Sequence, residues 1–219
     1  MFLFIKRYLA SNKFFWKYRH YFQINFFSSN YGEISEKFYN KILSDLKPSS
    51  ILDFGCATGD KLIYLSKVKK KVKIIYGIDI NQKAIQVAKI KASKEKVEFF
   101  FSNNLDQNEM REFLKKAKIK KFDLVIFDRV LYILNTTELN KILLVLSNYT
   151  KYFLINDFFL ENKKNNSSKH RINIKGYFHT NFDNLMKEKS FDLVTKFESP
   201  NKKVNFANSK VAIYKKTII

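Results

Sequence analysis

The sequence predicts a three-layer α/β fold, in which a mostly parallel sheet of seven strands is covered by helices on both faces. Short apolar runs alternate with amphipathic segments from residue 51 to residue 155. Such alternation is typical of βαβ units, whose strands pair in parallel beneath their crossover helices. With 219 residues, 46% of them hydrophobic, the chain is long enough to build one sizeable core.

Each element is predicted from hydrophobic spacing and from the turn residues around it. The predicted strands are 51–54, 74–78, 97–101, 123–127 and 152–155. The helices predicted between them are 61–68, 82–91, 108–117 and 138–147. Two further strand-like runs, 191–197 and 210–214, have no helical pattern between them. We therefore expect a terminal hairpin to complete the sheet.

The segment before the first strand is predicted to be helical. Ile34, Phe38, Ile42 and Leu46 recur at four-residue steps and form an amphipathic stripe that ends before Pro48. Residues 1–27 form a block in which aromatic and basic residues alternate. This block is interpreted as a helix packed on the main domain, as a lid over the substrate, or as a contact for a membrane surface or nucleic acid. We expect residues 1–47 to cap a main domain of residues 48–219.

The strongest functional pattern is a glycine-bearing turn after the first strand. Asp53 lies two residues before Gly55, and Gly59 precedes a helix. Glycine permits positive φ angles and a close approach of the backbone to a ligand. Asp79 ends the second strand, 20 residues after Gly59. A carboxylate at that spacing can accept the hydroxyls of a ribose, so the pattern indicates an adenosine-type cofactor.

Three segments in this order, ILDFGCATG, IIYGIDI and FDLVIFDRVLYIL, resemble the class I S-adenosylmethionine-dependent methyltransferases. The resemblance covers residues 42–216. It implies a Rossmann-like methyltransferase fold with strand order 3-2-1-4-5-7-6 and an antiparallel strand 7, and S-adenosylmethionine as the cofactor. Ala57 stands where the family usually has a glycine, although a small residue is a common variant there. The third glycine of the dinucleotide fingerprint is absent, which argues against NAD or FAD.

The resemblance also implies roles for individual residues. Asp53, with the turn, would meet the methionine portion of the cofactor, Asp79 the ribose and Asn103 the adenine amino group. Asp128 would lie near the transferred methyl group, with a helix N-cap or an ion pair to Arg129 as the alternative. The full predicted set of cofactor-binding residues is Asp53, Gly55, Cys56, Gly59, Asp79, Ile80, Asn103 and Asp128.

Methyl transfer from a sulfonium needs no covalent enzyme residue, but a hydroxyl acceptor benefits from a general base. Asp157 after the fifth strand and His179 before the last helix are the predicted base candidates, with His170 as a further one. Packing is the alternative interpretation for each histidine. The three histidines are scattered and the single cysteine, Cys56, has no partner, so we expect no metal site and no disulfide.

The formal net charge of +21 permits two interpretations. A dense basic surface suits nucleic acid, because it neutralises phosphates. However, only five of the 41 basic residues are arginines, and Asn and Ile are also abundant, which is the signature of an A+T-rich genome. We favour compositional bias over nucleic-acid binding. We also expect a cytoplasmic protein without a transmembrane segment, for which peripheral membrane contact stays open.

The leading functional prediction is a methyltransferase acting at oxygen or nitrogen of a small or medium-sized metabolite, such as a sugar or lipid precursor. The first alternative is a tRNA or rRNA methyltransferase, although Asp128-Arg129-Val130-Leu131 stands where exocyclic base-amine enzymes have an N/D-P-P-Y/F tetrad. The second alternative is a non-catalytic S-adenosylmethionine-binding subunit. The sequence leaves the acceptor and the oligomeric state open.

Overall fold

The computed structural model describes residues 12–18, 33–68, 71–103, 106–160, 171–174, 177–199 and 209–217. The helices are α1 (Lys13–Tyr18), α2 (Glu33–Leu46), α3 (Asp60–Val68), α4 (Gln82–Lys91), α5 (Gln107–Ala117), α6 (Thr136–Leu146) and α7 (Phe182–Glu188). The strands are β1 (Ser50–Phe54), β2 (Ile74–Asp79), β3 (Glu98–Phe101), β4 (Phe122–Asp128), β5 (Thr150–Phe158), β6 (Arg171–Ile174), β7 (Tyr177–Thr180), β8 (Phe191–Glu198) and β9 (Ser209–Lys216). His170 and most of the aromatic N-terminal block lie outside the described residues.

The main sheet confirms the predicted fold class and strand order. Seven strands pair in the order β3-β2-β1-β4-β5-β9-β8. β9 pairs antiparallel with both β5 and β8, whereas the pairs among the first five strands are all parallel. β1 and β4 lie side by side at the centre, where the order of the strands along the chain reverses. Ligands of open α/β sheets bind beyond the carboxyl ends of the strands at such a point.

The two faces of the sheet carry separate hydrophobic clusters, which gives the three layers. On one face, Leu52 and Phe54 of β1 pack with α5, α6 and α7 residues such as Phe113 and Leu139. On the opposite face, Ile51 packs with residues of α2, α3 and α4. Successive residues of a strand point to opposite faces, so one apolar strand serves both clusters. Each fully buried Leu, Ile or Phe contributes about 1.5–3 kcal/mol.

The helices α3 to α7 all run in the direction opposite to the parallel strands. Their N-termini lie at the carboxyl edge of the sheet, where Asn81, Asp106, Asn135 and Asn181 accept hydrogen bonds from backbone N–H groups of the first helical turns. Such residues are preferred N-caps, because they satisfy donors that the helix leaves unpaired. The helix C-termini lie at the opposite, amino edge, and the connections there are rich in lysine.

One element is missing from the sequence-based prediction. β6 and β7 form a two-stranded antiparallel hairpin between β5 and α7, in which Ile172 pairs with His179. A short 3₁₀ helix, Leu131–Ile133, follows β4 and packs against β7. Asp157, predicted to follow the fifth strand, lies inside it, because β5 extends to Phe158. The predicted polar loop 161–169 lies outside the described residues.

Candidate active site

The glycine turn after β1 is built as the sequence predicts. Gly55 has φ +80° and Gly59 has φ +73°, both in the left-handed region that favours glycine. A Cβ atom on Gly55 would lie 2.7 Å from Cγ2 of Val130, and one on Gly59 would overlap the Phe99 ring. The backbone therefore passes too close to its neighbours for any side chain at either position. The turn is tied to β2, because Gly55 N donates to the carbonyl of Ile78 at 2.8 Å.

Asp79, the last residue of β2, holds the glycine turn and the start of the next connection together. Its Oδ2 accepts from the backbone N–H of Ala57 at 2.8 Å, and its Oδ1 accepts from the N–H of Asn81 at 2.8 Å. Ile80 is buried beside it. A carboxylate offers about four acceptor positions, so two backbone bonds are compatible with additional hydroxyl donors.

A buried ion-pair network joins the ends of β1 and β4. Lys61, in the first turn of α3, places Nζ 2.8 Å from Oδ1 of Asp53 and 3.3 Å from Oδ2 of Asp128. Tyr39 of α2 donates its hydroxyl to the same Oδ2 of Asp128 at 2.7 Å, and Asn156 donates to Oδ1 at 2.8 Å. Two of the three acids predicted for the cofactor, Asp53 and Asp128, thus meet at one lysine.

The electrostatics of this network follow from its burial. Burial raises the pKa of Asp53 to about 6, although Lys61 opposes the shift. Burial disfavours the charge on Lys61, but the neighbouring Asp53, Tyr39 and Asp128 more than compensate, and its pKa lies above its usual range. Among the residues that the structure describes, the buried Oδ2 of Asp53 has no hydrogen-bond partner. A buried carboxylate oxygen of this kind suits an ammonium group or another cationic hydrogen-bond donor.

Sequence reasoning missed Lys61 and Tyr39. A usable signal was present for Lys61, because a lysine in the first turn of a helix opposes the helix dipole and so calls for a compensating acid. Tyr39 follows Phe38 of the α2 stripe, but nothing in the spacing indicates that its hydroxyl reaches a strand end. Both contacts depend on how α2 and α3 dock on the sheet.

Helix α1 lies over the carboxyl ends of β2 and β3. The Asn81 side-chain amide donates to the carbonyl of Trp16 at 2.8 Å, and Lys17 Nζ donates to Oδ1 of Asn103 at 2.6 Å. Lys13 forms an ion pair with Glu138 of α6 at 2.9 Å. These contacts place the described part of the N-terminal block against the predicted adenine contact.

Cys56 lies within the glycine turn and is buried. Burial is the main reason that the pKa of its thiol is raised, with Asp79 and Asp53 adding to the effect. A thiol held in the neutral form is a poor nucleophile. Its Sγ lies 2.7 Å from where a Cβ on Gly77 of β2 would stand, so the side chain fills space between the turn and β2.

The missed hairpin brings an aromatic cluster to the ends of β4 and β5. The rings of Tyr132, Phe158 and Tyr177 lie with centroids 5.2–5.3 Å apart, and Trp16 of α1 packs against them. His179 is buried beside Phe158, with ring centroids 5.2 Å apart. The N-terminal helix, the 3₁₀ helix and the hairpin therefore meet at this cluster.

His179 has an unusual hydrogen-bonding state. Among the described residues, its buried Nδ1 has no hydrogen-bond partner. Burial lowers the pKa of His179, and a backbone hydrogen bond to Phe159 only partly opposes this shift. The lowered pKa favours the neutral imidazole, which has one unprotonated nitrogen that can accept a proton.

Asp157 and Arg171 brace the same region. The Asp157 carboxylate accepts from the backbone N–H of Leu131 at 2.8 Å and from its own neighbour Phe158 at 2.8 Å. Burial raises its pKa to about 6 despite these bonds. Arg171 donates to the carbonyl of Leu131 at 2.6 Å, and its guanidinium lies 4.3 Å from the centre of the Phe178 ring. Both side chains therefore fix the 3₁₀ helix after β4.

The described residues also bear on two other features, a metal site and a membrane-spanning helix. Within the part of the chain that the structure describes, no group of three or more His, Cys, Asp or Glu residues is arranged to hold a metal ion. No helix among the described residues has the length and apolarity needed to cross a membrane.

Comparison with known proteins identifies the family. Residues 45–170, more than half of the chain, match the family model described as a methyltransferase domain. Over 89 residues the chain is 35% identical to the putative protein N5-glutamine methyltransferase MJ0928 of Methanocaldococcus jannaschii, and this match covers 40% of each chain. The matched region thus spans well under half of that curated relative.

Solved structures share the fold at low sequence identity. An S-adenosylmethionine-dependent methyltransferase from Clostridium acetobutylicum superposes with a TM-score of 0.59 at 16% identity, covering 92% of this chain and 99% of that one. The magnesium protoporphyrin IX methyltransferase of Synechocystis, solved with bound S-adenosylmethionine, gives 0.57 at 16% identity and covers 84% and 80%. The chain belongs to the methyltransferase domain family and has the Rossmann-like fold of the class I S-adenosylmethionine-dependent methyltransferases.

Proposed function

We propose that this methyltransferase transfers a methyl group to an oxygen or nitrogen atom of a small or medium-sized metabolite, such as a sugar or lipid precursor. The observation that carries the proposal is the unpartnered, buried Nδ1 of His179 beside aromatic rings at the carboxyl ends of β4 and β5. His179 could take the proton from a methyl acceptor that is bound against those rings.

The residues at the strand ends fit the cofactor. We assign the two hydroxyls of the ribose to Asp79, whose carboxylate is oriented by backbone N–H groups on either side. We assign the ammonium of the methionine portion to the acidic pair Asp53 and Asp128, because Oδ2 of Asp53 is a buried acceptor without a partner. Gly55 and Gly59, with Cys56 between them, shape the turn against which the cofactor would lie.

The adenine contact is assigned to Asn103. An amide oxygen accepts a hydrogen bond from an amino group, although more weakly than a carboxylate does. In the structure this oxygen accepts from Lys17, so the adenine would share it with α1 or displace the lysine. Ile80 contributes an apolar side chain next to Asp79, and α1 would close over the nucleoside as a lid.

When bound, S-adenosylmethionine supplies a methyl group that is already activated for in-line displacement. The chain's own contribution is then to orient the acceptor, to exclude water and to take up a proton. The aromatic cluster excludes water, and His179 Nδ1 accepts the proton. Asp157 is the second base candidate, but its oxygens accept backbone N–H groups of Leu131 and Phe158. We therefore propose that Asp157 positions the 3₁₀ helix and that His179 acts as the base.

The test is a methyl-transfer assay with S-adenosylmethionine and a panel of sugars, lipid precursors and amines, in which release of S-adenosylhomocysteine is measured. Turnover with one class of metabolite, but not with tRNA or rRNA, supports the proposal. Methylation of RNA, or of a glutamine-bearing protein as the name of the archaeal relative indicates for that protein, contradicts it. Tight cofactor binding without turnover on any acceptor would favour a non-catalytic subunit.

A further inference from the structure

The amino edge of the main sheet carries a continuous row of lysines that the methyl-transfer site does not use. Each of the seven strands has a lysine at this edge, within three residues of the strand end. These residues are Lys47, Lys73, Lys96, Lys121, Lys151, Lys189 and Lys215. We call them the lysine edge. With neighbouring strands about 4.8 Å apart, the row extends over about 29 Å.

The lysine edge is only partly compensated by acids, because Asp123 interacts electrostatically with Lys151 and Asp192 pairs opposite Lys215 across β8 and β9. Six of its seven lysines are exposed, and Lys189 is half-exposed. Among the residues that the structure describes, none of the seven takes part in an ion pair of 4.0 Å or less. Burial, with a contribution from nearby Lys121, lowers the pKa of Lys216, as expected where positive charges accumulate.

Helix direction favours lysine at the amino edge. Helix C-termini favour cations, which lowers the cost of crowding them there. The described connections that run from a strand to the next helix, at the opposite edge, contain no lysine. Lysines of the helices and strands, such as Lys17, Lys61 and Lys210, do lie at the carboxyl edge, so the feature that distinguishes the amino edge is the unbroken row across all seven strands.

A groove of about 530 Å³ opens at this edge between α5 and α6. Four basic side chains line it: Arg111, Lys115, Lys118 and Lys120. Leu144, half of whose surface is exposed, and Tyr149 contribute an apolar wall. The groove therefore combines several cationic donors with an apolar side, which suits an anionic group attached to a hydrocarbon portion.

Exposed aliphatic side chains accompany the lysines. Val68 ends α3, Ile74 begins β2, Ile90 lies in the last turn of α4 and Leu144 in the last turn of α6, and all four are 40–75% exposed. Nucleic-acid surfaces use aromatic platforms and arginine, whereas lysines interspersed with aliphatic groups suit an anionic lipid surface. The exposed aromatics Phe14, Phe101 and Phe197 lie at or near the other edge, on α1, β3 and β8.

We propose that the lysine edge docks on a bilayer that contains anionic phospholipids, with a headgroup phosphate in the groove between α5 and α6. Docked in this way, the molecule turns the carboxyl ends of its strands away from the bilayer. The acceptor is then taken from the aqueous side. The inference does not rest on the proposed acceptor, because it uses residues of the opposite edge only.

The experiment is vesicle co-sedimentation of the full chain at about 0.1 M salt, where charges about 10 Å apart still interact. The vesicles are pure phosphatidylcholine, or phosphatidylcholine with about 30% phosphatidylglycerol, an anionic lipid. We expect at least about tenfold tighter binding to the anionic vesicles, and loss of that preference at about 1 M salt, where screening acts over about 3 Å.

Variants distinguish binding through the lysine edge from a general effect of the protein's net charge. The triple substitution Lys118→Glu, Lys120→Glu, Lys121→Glu should lower anionic-vesicle binding at least about tenfold, since each reversal changes the charge at the surface by two. The matched control Lys37→Glu, Lys41→Glu, Lys141→Glu makes the same change in net charge on exposed faces of α2 and α6 and should retain most of the binding. Leu144→Ser should weaken binding without a change in charge.

Three outcomes would overturn the inference. These are equal binding to both kinds of vesicle, equal loss in the two triple variants, and preferential capture of a single-stranded oligouridylate that vesicles cannot displace. The last outcome would make the lysine edge a nucleic-acid surface. Calorimetric affinity for S-adenosylmethionine is measured in parallel and should be unchanged in both triple variants, so failure of docking is distinguishable from failure of the methyltransferase assignment.

Discussion

The two edges of the main sheet differ in chemistry, although the same strands and helices build both. At the carboxyl edge, Asp53, Asp79 and Asp128 end or nearly end their strands, and Asn or Asp side chains cap the helices. At the amino edge, lysines follow the helix C-termini. Helix direction explains both choices, because the positive N-terminal end of a helix favours acceptors and the C-terminal end favours cations.

The two edges also differ in whether their charged side chains are buried or exposed. At the carboxyl edge, Lys61 is buried between two carboxylates, and Asp157 is buried among backbone donors. At the amino edge, Lys121 and its neighbours are exposed. Buried charges fix geometry and are costly to leave unpaired, whereas exposed charges attract a partner at little cost in stability.

Lys61→Met should destabilise the fold by about 3–5 kcal/mol, because it leaves Asp53 and Asp128 buried without their shared cation. Urea unfolding at neutral pH measures the effect. The matched amino-edge variant Lys121→Met should change stability by no more than about 0.5 kcal/mol. The double variant Lys61→Met, Asp53→Asn should recover part of the loss. Equal effects of the two single substitutions would remove the distinction between the edges.

The contributions of Asp157 and Asp123 to folding stability should depend on pH in opposite senses. Burial raises the folded-state pKa of Asp157 from 3.8 to about 6, so its contribution to stability is fully present below pH 4 and is lost as the pH rises through 6. This difference in pKa corresponds to about 3 kcal/mol of stability. Asp157→Asn should therefore flatten the decline in unfolding free energy over this range.

Asp123, at the amino edge, provides the contrast. Burial opposes its ionisation, but hydrogen bonds from Ser49 and Ser50 outweigh this and lower its pKa. Its contribution is present above pH 4 and is lost as the pH falls. Asp123→Asn should lower stability at neutral pH and leave it unchanged in acid. Urea midpoints at several pH values check both variants, and parallel pH profiles would contradict the assignment.

His179→Gln should lower kcat by at least about 100-fold, the usual contribution of a general base. Gln keeps a hydrogen-bonding side chain near the Phe159 backbone but has no basic nitrogen that could take up a proton. Because burial lowers the pKa of His179, kcat in the unmodified enzyme should rise with pH with a midpoint below the ordinary histidine value of 6.5. Unchanged kcat with unchanged cofactor affinity would leave Asp157 as the base candidate.

Asp79→Ala should weaken S-adenosylmethionine binding by about tenfold or more, since hydrogen bonds to a charged acceptor contribute about 1.5–3 kcal/mol. Isothermal calorimetry measures the affinity, and circular dichroism verifies the fold. Glu95→Gln, which removes an acid from the amino edge, is the matched control and should have no effect. Equal affinity in Asp79→Ala and in the unmodified enzyme would contradict the ribose assignment.

The sequence alone determined the fold class and the glycine turn, and its resemblance to the class I methyltransferases implied the strand order. Alternating apolar runs define parallel strands, and Gly55 and Gly59 mark positive φ angles that few other residues adopt. Asp79 could be identified because the length of a βαβ unit fixes the separation between the glycine turn and the end of the second strand. These features depend on residues that are close together in the sequence, which is why they can be predicted from it.

Only the tertiary structure decided which distant side chains meet. Lys61 reaches Asp128, Tyr39 reaches the same carboxylate, and His179 lies beside Phe158, although wide stretches of chain separate these residues. The short hairpin of β6 and β7 escaped prediction because four-residue strands carry too little alternation. The lysine edge likewise is apparent only from the tertiary structure, since its lysines are scattered along the chain and are brought to one edge of the sheet by the order and direction of the strands.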